Sequence, residues 1–454
     1  MIFTLLWTDI MVWILIVALT SWGWVISRSA QVKKQWHTIF KSGIAMASAT
    51  ILLFYLFFTL LDSVHLRLAK ATEDKNGQVQ YAQMVSLLDI MFSHNIKNTE
   101  RTYSSPFAIH EYVKSIVVDE NGVTSQENLA LKHVSEDANV FTSTLLALLT
   151  GFVISMFMIL LHITYRTKGK VLEEIKKVSR GETSLPWRTA YATLTLLILT
   201  FTWLYMLSYT YHVLGTDKVG GDVLYQSLKS IRTGVLIGIL TTLIMLPVAI
   251  ILGVSAGLFG GWVDDVIQYL YTTLSSIPGV LLIAAGVLVM QVTMDNNPNW
   301  FETTLERSDL RLLFLILILG VTSWTGLARL LRAETLKISQ IEFVTAAKAF
   351  GVSKWTIIRR HIIPNLMHII LISVVLDFSG LVLAEAVLSY VGVGVDPTMH
   401  SWGNMINQAR LEMAREPMVW WSLFSAFVFM FILVLAANLL SDRIQKVLDP
   451  RNKV

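Results

Sequence analysis

Residues 343–365 read FVTAAKAFGVSKWTIIRRHIIPN and lie between two long apolar segments. Ala346 and Ala347 form a pair of small residues beside Thr345, Gly351 breaks the first helical stretch, and Lys354, Trp355, Arg359 and Arg360 form a basic amphipathic run ending at Pro364. Gly lacks a Cβ and turns the backbone sharply without steric penalty. The pattern therefore predicts two short helices meeting at Gly351. Ala346 and Ala347 leave room for a partner surface, Trp355, Ile357 and Ile358 offer an apolar face, and Lys354, Arg359 and Arg360 supply charge for an acidic rim. A docking lever between membrane helices is the expected result.

Composition agrees with the membrane setting. Hydrophobic residues make up 54% of the 454 and charged residues 15%, and mean hydropathy is +0.59, well beyond the balance of a soluble chain. The net charge of +4 does not point to nucleic acid, because the bases sit in short loops beside apolar runs, where they set orientation. With no Cys there are no disulfides, thiolate metal sites or cysteine nucleophiles.

A span needs about 20 apolar residues, and nine segments qualify: 10–27, 43–61, 141–165, 189–211, 233–258, 266–294, 312–328, 362–391 and 418–440. The sixth is long enough to include an amphipathic lead-in. Basic residues gather in three loops: Arg28, Lys33, Lys34 and Lys41; then Arg166, Lys168, Lys170, Lys176, Lys177 and Arg180; then Arg332, Lys337, Lys348, Lys354, Arg359 and Arg360. Those loops are expected in the cytoplasm. Alternation puts the N-terminus and the acid-rich segment 62–139 outside, and the C-terminus with Arg443 and Lys446 inside. Asp9 precedes the first span and no basic region does, so that span is read as uncleaved.

The chain divides near residue 188, with recognisable motifs only behind that point. His212 to Leu224 reads HVLGTDKVGGDVL, residues 257–264 read GLFGGWVD, residues 383–395 read LAEAVLSYVGVGV, and SWGNM at 401–405 and LDPR at 448–451 follow. In this order, over residues 189–454, they resemble the second permease of dipeptide and oligopeptide ABC importers, the DppC/OppC type. Val213 and Gly221 replace that family's Pro and Arg. The opening stretch is similar to the family's cytoplasmic Glu-Ala-Ala loop, with Thr345 in place of Glu and His361 in place of Ile. The resemblance implies an all-α polytopic fold: a six-helix ABC importer core of the MetI-like kind at 189–454. An N-terminal extension, 1–188, adds three transmembrane helices and a small extracytoplasmic α+β segment.

Chemistry of its own is not expected of this chain. Gly169-Lys170 is followed by Val171 and has no partner Gly ahead, so no phosphate-cradling P-loop forms. His110-Glu111 starts like a zinc-protease helix, but Lys114 stands where the second His belongs. The histidines show no metal-ligand spacing, and His361 and His368 read as loop and interface residues. Charged groups within spans are costly, about 2.5–3.5 kcal/mol, and default to functional hypotheses. Asp377 and Glu385 interrupt the eighth span. They are candidates either for the translocation path, receiving a peptide's ammonium group, or for bonding the backbone of a broken helix. Pro247 and Pro278 lie in apolar runs and are expected to kink them. Tyr112 to Val118 followed by Asp119-Glu120-Asn121-Gly122 predicts a strand and hairpin turn.

The resemblance implies a permease subunit that binds no cofactor, with ATP and Mg on partner subunits. The implied partners are a homologous second permease, two ATP-binding subunits, a periplasmic peptide-binding protein and membrane lipid. The implied location is the bacterial inner membrane. Thr216, Asp217 and Asp222 are candidates for gate or binding-protein contacts at the outer mouth, or else form a capped turn. The same architecture serves other cargoes, such as nickel complexes or antimicrobial or sugar-linked peptides, and a permease-fold sensor or scaffold is the further alternative.

Overall fold

The computed structural model describes residues 2–28, 30–73, 79–118, 124–134, 140–167, 171–301 and 303–448. Lys168, Lys170, the turn Asp119-Glu120-Asn121-Gly122 and Asp449-Pro450-Arg451 lie outside the described residues. The chain forms two packing units, residues 1–235 with 397–440, and residues 236–396 with 441–454. These units cut across the sequence division at residue 188, which separates motif-bearing chain from the chain ahead of it.

In the first unit, α1 (Trp7–Arg28), α2 (Ala30–Phe40) and α3 (Gly43–Asp62) lead into the segment carrying β2 (His65–Glu73), β3 (Val79–Ser86), α4 (Leu87–Met91), α5 (Ser93–Lys97), β4 (Ser115–Val118) and β5 (Thr124–Glu127). The strand β1 (Ile2–Thr4) pairs antiparallel with β2, Thr4 opposite His65, and β3 pairs with the other edge of β2. This pairing brings the start of the chain beside the segment that follows α3. The expected strand of the hairpin is β4, which pairs with β5 from Ser115 opposite Glu127 to Val118 opposite Thr124. Next come α6 (Val140–Thr167), α7 (Val171–Arg180) and α8 (Trp187–Leu207). An added Cβ on Gly151 would lie 2.2 Å from Thr202 Oγ1, so α6 and α8 pack backbone to backbone, as small residues allow in lipid.

The second unit holds most of α9 (Val223–Phe259), then α10 (Gly261–Ser276), α11 (Gly279–Asn296), α12 (Thr304–Ser339), α13 (Glu342–Ala349), α14 (Lys354–Ile357) and α15 (Ile363–Tyr390). Its core joins Met245, Val254 and Tyr271 to Trp324, Leu331, Ile338, Val344, Ile357, Ile362 and Leu366. Gly253 and Gly257 bring α9 against α12: an added Cβ would lie 2.6 Å from Ala328 O at one and 2.6 Å from Thr335 Cβ at the other. The remaining helices are α16 (Trp402–Glu412) and α17 (Trp421–Leu448).

Among the described residues, eight helices are long and apolar enough to cross a membrane, and α1 contributes a shorter apolar stretch, Trp7–Ser21. Two sequence expectations change. The apolar run 266–294 is two helices, since α10 stops at Ser276 and α11 begins after Pro278. Pro278 thus precedes a helix instead of kinking one, because its missing N–H is harmless at a helix start. Pro247 does lie inside a helix, in α9.

Candidate functional site

The stretch 343–365 starts with α13 and turns at Gly351, whose φ is +74°. Gly351 N donates to Lys348 O at 3.0 Å and Val352 N to Ala347 O at 3.1 Å, the paired bonds that close a helix on a left-handed Gly. Ser353 then caps the next helix, its hydroxyl accepting from Thr356 N. That next helix is not short. Chain from Lys354 to Tyr390 runs as one helix, passing through a π turn at Ile358–Ile362 just ahead of Pro364. Pro364 offers no N–H and its ring crowds the carbonyl four residues back, and a π turn relieves that conflict by admitting an extra residue.

This geometry redistributes the roles expected of the stretch. Val344, Ala347, Ile357, Ile358 and Ile362 are buried in the chain's own core. Ile357 and Ile358 therefore hold the element onto its helices, and Ala347 is small for that packing. The outward face is Thr345, Ala346, Phe343, Phe350, Val352, Trp355, Arg359, Arg360 and Pro364, all exposed, with Phe350 88% and Trp355 71% accessible. The ring of His361 lies 5.7 Å from that of Phe343, tying α13 to the π turn. The ammonium of Lys354 sits over the Phe259 ring at 4.8 Å. At the nearby end of α12, Arg332 makes two bonds to Asp264 of α10, at 2.5 and 2.6 Å, and those bonds hold the Asp264 carboxyl below its usual range.

The two carboxylates of α15 separate clearly. Glu385 is 1% exposed and accepts from Ser389 Oγ at 2.8 Å. The same hydroxyl accepts from Val395 N, and Gly392, at φ +85°, closes the helix. Glu385 thus belongs to the helix terminus. Asp377, half-buried midway along α15, has no hydrogen bond or ion pair with any described residue.

Within the first unit, loop 208–222 forms a closed knot. Thr216 pairs with Asp222 in an antiparallel bridge. Thr216 Oγ1 donates to Thr102 O at 2.9 Å and accepts from Ser104 N at 2.6 Å, while its carbonyl accepts from Trp421 Nε1. Asp217 accepts from Gly221 N, Val219 N and Gln226 Nε2. Asp222 caps α9 by accepting from Tyr225 N and holds His212 Nδ1 at 2.9 Å. Thr216 and Asp222 are buried and their side chains are engaged in these bonds. Burial lowers the His212 pKa, but Asp222 and Glu100 outweigh that and hold it above the usual imidazole range. Residues 100–112 pack on this knot: Glu100 N donates to Gly220 O, and Tyr112 stacks edge-on against Trp421 at 4.9 Å.

Sequence reading missed a buried charge network. Arg232 of α9 donates to Asp9 Oδ1 at 2.7 Å, Thr8 Oγ1 at 2.5 Å and Ser63 Oγ at 3.3 Å, while His65 Nδ1 lies 2.8 Å from Asp9 Oδ2. One turn earlier, Lys229 pairs with Asp62 and Asp89, and Asp89 also accepts from Tyr225 OH. Burial raises the Asp89 pKa, but Lys229 overrides it and keeps the carboxyl low. The bases belong to the motif-bearing chain and the acids to the extension. The available signal was a Lys and an Arg three residues apart at the head of an apolar helix.

These features define a polytopic membrane protein whose stretch 343–365 presents an exposed apolar and basic face. The description "Binding-protein-dependent transport system inner membrane component" matches residues 249–454. The glutathione transport system permease protein GsiD of Pectobacterium atrosepticum is 31% identical over 242 residues, 53% of this chain and 73% of its own. The oligopeptide permease OppC of Mycobacterium tuberculosis is 32% identical over 54% of this chain and 77% of its own. The dipeptide permease DppC of Bacillus subtilis is 31% identical over 53% and 69%. An inward-facing MetNI methionine ABC transporter structure overlaps 50% of this chain and 96% of its own at 17% identity and a TM-score of 0.36, too loose to bear on the reading. The chain belongs to the DppC/OppC-type permease family of binding-protein-dependent ABC importers. It is a transport subunit, and ATP hydrolysis in this family is done by separate subunits.

Proposed function

We propose that this chain imports peptides, received from a periplasmic binding protein, as one of two homologous permeases working with two ATP-binding subunits that carry ATP and Mg. The cargo named for its relatives, glutathione, dipeptides and oligopeptides, supports this choice. Residues 189–454 form the transport module and 1–188 the extension. The membrane is the bacterial inner membrane, with the N-terminus periplasmic and the C-terminus cytoplasmic.

The observation that carries the reading is the exposed face of Phe350, at the end of α13, with Trp355, Arg359 and Arg360 on a helix continuous with a membrane span. An apolar and basic face of this kind fits a groove with an acidic rim on a partner. Closure of the nucleotide-bound dimer would pull on α13 and α14, and the unbroken helix carries that motion to Tyr390. On the outside, Asp217, Lys218 and Val219 of the loop are accessible and would meet the binding protein. Affinity purification of the tagged chain, with mass spectrometry and an ATPase assay, tests the assembly. A second permease and P-loop subunits in the eluate are expected, and recovery of the chain alone without ATPase would refute it.

A further inference from the structure

Asp377 is the anomaly of the membrane region. It stands midway along the 28-residue α15, about 20 Å from either end at 1.5 Å per residue. A carboxylate at that depth is costly when it faces lipid, and such groups turn to a bundle interior or an aqueous cavity and pair there. Asp377 has no counter-charge or hydrogen-bond donor among the described residues. The contrast with Glu385 is direct, since that carboxylate has Ser389. One turn beyond Asp377, Gly380 is exposed, and an added Cβ there would meet nothing within 4 Å. The helix face beside Asp377 is thus open at Gly380, and the described residues leave the carboxylate's pairing capacity unused.

Resting on the peptide reading above, we propose that Asp377 is a cation-selecting residue of the translocation path, pairing with the ammonium group of a passing peptide. The ligand class is a primary amine carried by cargo. The pairing is transient by design, because a resident base on the chain would occupy the carboxylate permanently. Asp377 thus sets preference for cargo with a free amine, whereas Glu385 has no part in cargo selection.

The test uses the complete importer in proteoliposomes, with trialanine as cargo. Asp377→Asn is expected to lower uptake at least tenfold, and Asp377→Glu to restore most of it, with subunit recovery and basal ATPase unchanged in both. A carbodiimide that joins amines to carboxylates is expected to link trialanine to Asp377, but not N-acetyl-trialanine, as read by mass spectrometry of the peptide containing residue 377. Unchanged uptake in Asp377→Asn would overturn the proposal. Loss of the second permease from the Asp377→Asn complex would also overturn it, assigning the carboxylate to a base on that subunit. Failure of the unmodified, ATP-hydrolysing complex to move any peptide would instead overturn the peptide reading beneath it.

Discussion

Replacing Arg232 by Met leaves Asp9 buried with the His65 ring as its remaining side-chain partner and removes the donor that Thr8 and Ser63 share. Arg232 is 5% and Asp9 0% exposed, with 2.7 Å between Nη2 and Oδ1. Removing one member of a buried pair costs about 3–5 kcal/mol, because the other charge is left uncompensated. For a cooperative unit of about 280 residues that is a fall in melting temperature of roughly 5–9 °C. Thermal unfolding of the purified protein in mild detergent reads it. The double variant Asp9→Asn with Arg232→Met removes both charges, so it is expected to melt above the sum of the single losses. Additive losses, or an Arg232→Met protein melting within a degree of the parent, would refute the view that the extension neutralises α9.

Gly220→Ala places a Cβ 2.0 Å from Glu100 O, so it is expected to lift residues 98–104 off the knot, read as faster proteolysis of that segment. Gly351→Ala meets no neighbour but holds a left-handed φ, which costs about 1–2 kcal/mol; complex assembly is expected to survive while peptide uptake per ATP falls. His212, whose folded pKa is raised, stabilises the knot fully below about pH 6.5 and loses that contribution as pH rises through its folded value. Melting temperatures of the parent and His212→Asn are therefore expected to differ most in acid and to converge in alkali.

How much of this was legible depended on the range of each interaction. The apolar runs and the turn at Gly351 are local, and period and residue type expose them. The facing of the stretch 343–365 is not local: Ile357 and Ile358 look like a contact face until they are seen in one buried cluster with Val344, Leu331 and Leu366. Spacing alone also allowed two short helices, and the π turn that joins α14 to α15 follows from the clash of Pro364, which a one-dimensional pattern does not show. For Thr216 and Asp222 sequence left an outer contact and a capped turn both open, because Glu100, Thr102 and Ser104, which bond the loop, lie far away in the chain. Lys229 and Arg232 were hidden for the same reason, their partners standing at Asp9, Asp62 and Asp89.

The measurement that tests the central claim most directly exploits the absence of cysteine in the 454 residues. A single Phe350→Cys in the assembled complex, treated with a short thiol-to-amine crosslinker, is expected to join this chain to an ATP-binding subunit, with a yield that changes when nucleotide is added. A Cys at exposed Leu172 serves as the control and should give no such product. Crosslinking to lipid or to no subunit at all from position 350, or equal yields from positions 350 and 172, would contradict the account.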